Sequence, residues 1–171
     1  MFYKSSYKSI VGTITLISDE NNIIGLWLEG QKEVMLPENL IIYNDNDILK
    51  AGKKWLDDYF SGNQPSIDFL PLSPLGTPFQ KDVWEMLKAI PYGKTTTYGE
   101  IAKVLAKKYG KEKFSAQAVG GAVGKNQISI IIPCHRVVGT NGNLTGYAGG
   151  IDKKITLLKH ENVDISKSFI K

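Results

Sequence analysis

Cys134, His135 and Arg136 occupy consecutive positions, and each is scarce: the chain has one cysteine, one arginine and two histidines. A thiol beside an imidazole and a fixed positive charge reads as a nucleophile, because both neighbours favour thiolate over thiol. An unassisted thiol, with a pKa of about 8.5, is only a few per cent thiolate at neutral pH, so a neighbouring base is needed. In an extended strand Cys134 and His135 would point to opposite faces. The pair therefore works together only through a bound water or where the backbone turns. A metal site is not expected, since one cysteine and two histidines would need carboxylates and none stands at a ligating spacing.

The elements around the thiol follow from pattern. The apolar run 128–132 predicts a buried strand leading into Cys134. Upstream, Phe79, Val83, Trp84, Leu87 and Ile90 repeat at helical spacing, and Pro91-Tyr92-Gly93 ends that helix. Thr95-Thr96-Thr97 is short and β-prone. A second amphipathic helix is expected over 98–109, with Ile101, Ala102 and Leu105 inward. After a lysine-rich loop, Ser115 is placed to cap a third over 116–123. Two short helices joined by a loop make a helix-turn-helix, with the turn-forming segment 139–143 as a wing. A last helix over 151–161 buries Ile155, Leu157 and Leu158.

The helix that begins at Ala116 is nearly bare, with Ala118, Gly120, Gly121 and Ala122 following. A glycine costs a helix about 1 kcal/mol relative to alanine, so two in a row require a reason. Close helix packing is one. The other is insertion into a groove about 6 Å wide, the DNA minor groove, where side chains of ordinary size do not fit.

The first half reads differently. Residues 2–29 alternate as a β-meander, broken by the turn at Asp19-Glu20-Asn21-Asn22. A short strand is expected near 33–36. A helix starts at 45–47 with Ile48, Trp55, Leu56, Tyr59 and Phe60 inward, and Gly62 stops it. Pro65, Pro71, Pro74 and Pro78 mark a connector, so the chain divides into 1–76 and 77–171. These parts carry net charges of −4 and +8 within an overall +4. A basic half joined to an acidic one suggests that the second meets a polyanion. No apolar run is long enough for a membrane span. A single unpaired thiol fits a reducing compartment, so the cytoplasm is expected.

Pro133-Cys134-His135-Arg136-Val137, the Ala118–Ala122 helix with Asn126, Tyr147-Ala148-Gly149-Gly150 and Leu157-Leu158-Lys159-His160-Glu161 together resemble the O6-alkylguanine-DNA alkyltransferases. The resemblance is dense in the basic half and follows the family's order. It implies an N-terminal ribonuclease-H-like α/β domain and a C-terminal winged helix-turn-helix domain. It also implies residue roles. Cys134 is the alkyl acceptor, His135 the general base acting through water, and Glu161 orients that histidine. Asn126 is a hinge, and Tyr98 turns the target phosphate and assists the leaving guanine. Tyr147, Ala148 and Gly149 cover the extruded base, and the Cys134 and Val137 carbonyls accept from its amine. Ser115, Ala116, Gln117, Ala118, Gly120, Gly121 and Lys125 meet DNA.

The implied partner is duplex DNA containing O6-alkylguanine, entered from the minor groove by a monomer without cofactor or metal. O4-alkylthymine is the further candidate substrate. Gln117 departs from the family's frequent arginine and lacks its charge and stacking. Two rival readings are a non-enzymatic lesion binder on the same fold, whose relatives lack the cysteine, and a cysteine hydrolase, which needs a histidine distant in sequence.

Overall fold

The computed structural model describes residues 1–166. The chain forms two compact units, one of Met1–Leu75 with Gln127–Ile131, the other of Gly76–Asn126 with the segment from Ile132 onward. A single division near residue 76 is thus accompanied by a five-residue return, 127–131, into the first unit. The last residues of the expected second domain, 167–171, lie outside the described ones.

The first unit is a sheet with one long helix. Strands β1 (Phe2–Ser9), β2 (Gly12–Ser18) and β3 (Ile23–Trp27) form the expected antiparallel meander, and β4 (Ile41–Ile42) joins β1 in parallel to give the order β3-β2-β1-β4. Helix α1 (Asp47–Phe60) begins where Asn46 accepts from the Leu49 amide, with Asp47 in its positive first turn. Its inward face is Leu49, Gly52, Trp55, Leu56 and Tyr59. Leu49, rather than the expected Ile48, makes the first turn's core contact. A methyl on Gly52 would come within 3.0 Å of Ile23 and 3.2 Å of Leu16, so the close approach of α1 to the sheet depends on that glycine. The strand expected near 33–36 does not form. Val34 and Leu36 instead pack, without pairing, on the cluster of Ile17, Ile24 and Trp27, so their apolar pattern reflects burial alone.

The second unit opens with α2 (Pro78–Lys88), started by a reciprocal Thr77–Gln80 capping box with proline in its first turn. Strand β5 (Thr96–Thr97) leads directly into α3 (Tyr98–Lys108), whose cap is Thr97. Helix α4 (Ala116–Gly124) starts at Ser115, whose hydroxyl accepts from the Ala118 amide. The Trp84 indole donates to the Ala122 carbonyl at 2.9 Å and ties α2 to α4. Strand β6 (Val137–Val138) pairs in parallel with β5, and α5 (Ile151–His160) closes the unit. The expected wing segment contains a 3-10 turn at Thr140–Gly142.

The strand expected over 128–132 is absent, although its residues are buried. Only an isolated bridge joins Ile128 to Leu26. Ile130 takes φ 69°, and the Ile131 amide donates back to the Ser129 carbonyl at 2.8 Å. A β-branched residue in the left-handed region interrupts an extended ladder and carries local strain of order 1–3 kcal/mol.

Candidate active site

The backbone turns at the thiol. Pro133 (φ −81°, ψ 67°) is followed by a 3-10 turn over Cys134–Arg136, so the three chemical side chains fan out rather than alternate. All three are buried, with Cys134 5% exposed and His135 fully enclosed. The parallel pairing of Thr96 with Val137 and Thr97 with Val138 brings Tyr98, the next residue after β5, beside this turn.

His135 Nε2 lies 2.5 Å from Glu161 Oε2. The other carboxylate oxygen accepts from Arg136 Nε at 2.7 Å and from the Gly93 amide at 3.1 Å. Arg136 also donates to the Ile90 carbonyl at 2.8 Å. The position of Glu161 at a helix C-terminus, electrostatically the wrong end for an acid, is offset by these donors. Burial pushes its carboxyl up, but the hydrogen bond to His135 and the Arg136 guanidinium together hold it well below the usual carboxylate range. Arg136 is therefore the partner of Glu161. Its charge does not favour the thiolate in the way sequence adjacency suggested.

The cation that faces the thiol is Lys154, which sequence reasoning missed. It is completely buried on α5, with Nζ donating to the Val137 carbonyl at 2.6 Å and to the Thr145 carbonyl at 3.1 Å. Burial lowers its pKa to about 8, while the neighbouring Cys134 works in the other direction. Burial pushes the Cys134 thiol up, and the Asn126 amide, the Lys154 charge and the Tyr147 hydroxyl each pull it back. Asn126 also donates to the Ile132 carbonyl at 2.8 Å, fixing the segment just before the turn. A carbonyl oxygen can accept two hydrogen bonds, so the Val137 carbonyl has capacity beyond the one from Lys154.

His135 is neutral. Burial depresses its pKa more than the Glu161 carboxylate raises it. With Nε2 donating to Glu161, Nδ1 is an acceptor, and it has no hydrogen-bond partner among the described residues. An enclosed, unoccupied lone pair held in one tautomer is what a general base requires. The same burial sets a stability effect. The folded chain binds this proton less readily than the unfolded chain, so unfolding takes up a proton below the ordinary histidine pKa of about 6.5. Urea midpoints are expected to fall as pH drops beneath that value, and His135→Gln is expected to flatten this part of the profile.

Tyr98 links the thiol, whose charge reaches it, to an open mouth at the surface. It lines an open cavity of about 510 Å³ with Gly99, Ala116, Gln117, Gly120 and the segment around Thr145 and Gly146. Its hydroxyl makes a long hydrogen bond, 3.5 Å, to the Thr145 carbonyl. Burial, then the charge of Cys134, raises its pKa, so it remains a proton donor at neutral pH. The structure thus brings Asn126, Lys154, Tyr147 and Tyr98 to the thiol, with His135 next to it in the turn and tied to Glu161, and with the Val137 carbonyl held by Lys154. Ala116, Gln117 and Gly120 line the mouth, and Ser115, Ala118, Gly121 and Lys125 are exposed on or next to α4. Ala148 and Gly149 lie on the loop that enters α5.

Two family profiles match the chain: "6-O-methylguanine DNA methyltransferase, ribonuclease-like domain" over residues 2–74, and "6-O-methylguanine DNA methyltransferase, DNA binding domain" over 78–163. The chain belongs to the 6-O-methylguanine DNA methyltransferase family. A methylated-DNA–protein-cysteine methyltransferase of Methanosarcina acetivorans is 44% identical over 160 residues, covering 93% of this chain and 97% of its own. The protein of that name from Salmonella typhimurium is 52% identical over 106 residues, 62% of this chain and 59% of its own. Among solved structures, Mycobacterium tuberculosis OGT in complex with DNA superposes with a TM-score of 0.78 at 37% identity, covering 93% of this chain and 92% of the other. Membership confirms the ribonuclease-like and DNA-binding halves expected from sequence. Among the described residues no helix is long and apolar enough to cross a membrane.

Proposed function

We propose that this chain repairs DNA by moving the alkyl group of O6-alkylguanine onto its own Cys134, once and irreversibly. The observation that carries this reading is the enclosed relay beside the thiol. Glu161 holds His135 Nε2, and the opposite nitrogen is left open within a site faced by Lys154 and Asn126. His135 takes the thiol proton through a water molecule. The sulfur then attacks the alkyl carbon as its bond to O6 breaks, and the departing guanine anion is neutralised by the Tyr98 hydroxyl. The product is a thioether, which offers water no carbonyl to attack, so the protein acts once. The target atom lies inside a duplex, so the base must be extruded at a cost of a few kcal/mol. Tyr147, Ala148 and Gly149 cover it, with the Cys134 and Val137 carbonyls accepting from its amine.

The outward face of α4 supports entry by the minor groove. A methyl on Gly121 would meet nothing within 4 Å, and on Gly120 only the Tyr98 ring at 3.7 Å. Tight packing therefore does not account for these glycines, and a helix free of bulk fits a groove about 6 Å wide. The solved relative described in complex with DNA supports DNA as the partner. Gly121→Ala is expected to stabilise the fold by up to about 1 kcal/mol, whereas Gly121→Leu is expected to weaken duplex binding. Paired denaturation and anisotropy titrations check both. Gln117→Arg is expected to steepen the salt dependence of binding by about 0.9 in the log–log slope, one phosphate equivalent.

The lone thiol suits a cytoplasmic setting, and one chain supplies every group named, so the protein acts as a monomer. Intact mass after incubation with a duplex containing O6-methylguanine tests the proposal. One added methyl per chain, mapped to Cys134, is expected. Binding without mass change would favour a lesion binder, and repeated turnover of an ester or peptide a hydrolase.

A further inference from the structure

We infer that a lysine-lined groove between α3 and the segment joining it to α4 receives the phosphodiester backbone of the DNA strand leaving the mouth of the site. The inference rests on the repair reading only for the identity of the duplex. The groove encloses about 560 Å³, and its charged lining is Lys103, Lys107, Lys111 and Lys113 with a single acid, Glu112. Among the described residues none of these four lysines makes an ion pair, whereas Lys108 of the same stretch is engaged by Asp82 at 3.1 Å.

Lys103 and Lys107 stand one turn apart on α3, where like charges repel and weaken a helix. An anionic occupant would relieve that repulsion. The floor is Ala102 and Ala106, 4% and 5% exposed, so a backbone can settle close to the helix. The far wall is held by Phe114, which packs on Phe79 and Tyr109 at 5.4 and 5.7 Å between ring centres and carries the Lys111 ammonium 5.6 Å above its face. The joining segment is thus braced.

Location identifies the occupant. The groove and the mouth of the site share Gly99 and Ala116, so the two depressions are continuous across the start of α3 and the start of α4. Neither shared residue has a side chain larger than a methyl group to obstruct the passage. A strand whose nucleotide is extruded at Tyr98 has its neighbouring phosphates within this continuous path. The lysines then act without regard to sequence, adding affinity and widening the footprint on the duplex.

The test uses the full chain and a lesion-free duplex of about two helical turns, titrated by fluorescence anisotropy at several salt concentrations. In Lys107→Gln/Lys111→Gln/Lys113→Gln the log–log salt slope is expected to fall by about 0.9 for each lysine that meets a phosphate. Lys8→Gln/Lys50→Gln/Lys54→Gln, with the same loss of charge in the first unit, is expected to leave the slope unchanged. An unchanged slope in the groove variant, or an equal fall in both variants, overturns the inference. So does loss of binding to an acidic peptide with DNA binding intact, which would assign the groove to a protein. Methyl transfer by the unmodified chain is read separately by mass, so failure of the repair reading is distinguishable from failure of the groove.

Discussion

Glu161→Gln is expected to slow methyl transfer at neutral pH by about 10²–10⁴-fold, the range supplied by a positioned acid–base group. The amide keeps the size of the carboxylate but replaces one acceptor with a donor. Its oxygen stays with Arg136 Nε and the Gly93 amide, which already share one acceptor atom of the carboxylate. Its NH₂ group then faces His135 Nε2 and forces the imidazole into the other tautomer, with hydrogen on Nδ1 and no lone pair for the thiol proton. The deficit is expected to shrink as pH rises through the titration of Cys134, because hydroxide then does the work of the base. A stopped time course of methylated protein mass across pH 6–10 checks this. A deficit equal at every pH would mean that Glu161 serves the fold and not the proton. Stability is expected to fall as well, by about 3–5 kcal/mol, since Arg136 is left buried without its counter-charge.

Lys154→Met is expected to separate stability from activity. The lysine is a buried cation whose pKa is already depressed, so keeping it charged costs the fold a few kcal/mol at neutral pH. Because its folded pKa of about 8 lies below its unfolded value, this cost is present below pH 8 and is relieved as pH rises toward the ordinary lysine range. Removing the charge removes the cost, while the Val137 and Thr145 carbonyls lose a donor, at about 1–3 kcal/mol for each group left unsatisfied. The two effects offset, and the urea midpoint is expected to move little. Transfer is expected to slow by about 10²-fold or more at neutral pH, because the thiolate loses the cation that favours it. The pH at which the rate reaches half its maximum is expected to move upward. Restoration by Lys154→Arg is not expected, since the guanidinium is too broad for a socket that holds one ammonium between two carbonyls.

Legibility in the sequence differs from residue to residue. Cys134, His135 and Glu161 are legible as a set because the family motif places them in order, and the structure joins the last two by a hydrogen bond. The structure pairs Arg136 with Glu161. Sequence adjacency suggests proximity to the thiol, but a 3-10 turn carries successive side chains in different directions. Lys154 leaves a signal in the sequence: it stands three and four residues before Leu157 and Leu158, on the apolar face of its helix, where a lysine is out of place unless a partner receives it. The strands expected at 33–36 and 128–132 fail for a shared reason. Apolar runs report burial, while extended pairing also needs a neighbouring edge and allowed dihedrals, and Ile130 at φ 69° withholds the latter. The meander and the helices α2 to α5 carry their own punctuation in caps, turns and period, which fixes their bounds to within a few residues.

The short return of residues 127–131 has a bearing on how this protein can be dissected. Leu26 exchanges backbone hydrogen bonds with Gln127 and Ser129, so that pentapeptide is held by the meander of the amino-terminal unit although both its flanks belong to the other. A scissor cut at the proline-rich connector therefore does not liberate a self-sufficient acceptor module. The carboxyl-terminal piece would carry away a ribbon containing Ile128, Ile130 and Ile131, stripped of the edge that shelters it. Genetic recombination that exchanged one half for a foreign one would inherit the same mismatch a few residues upstream of the sulfur.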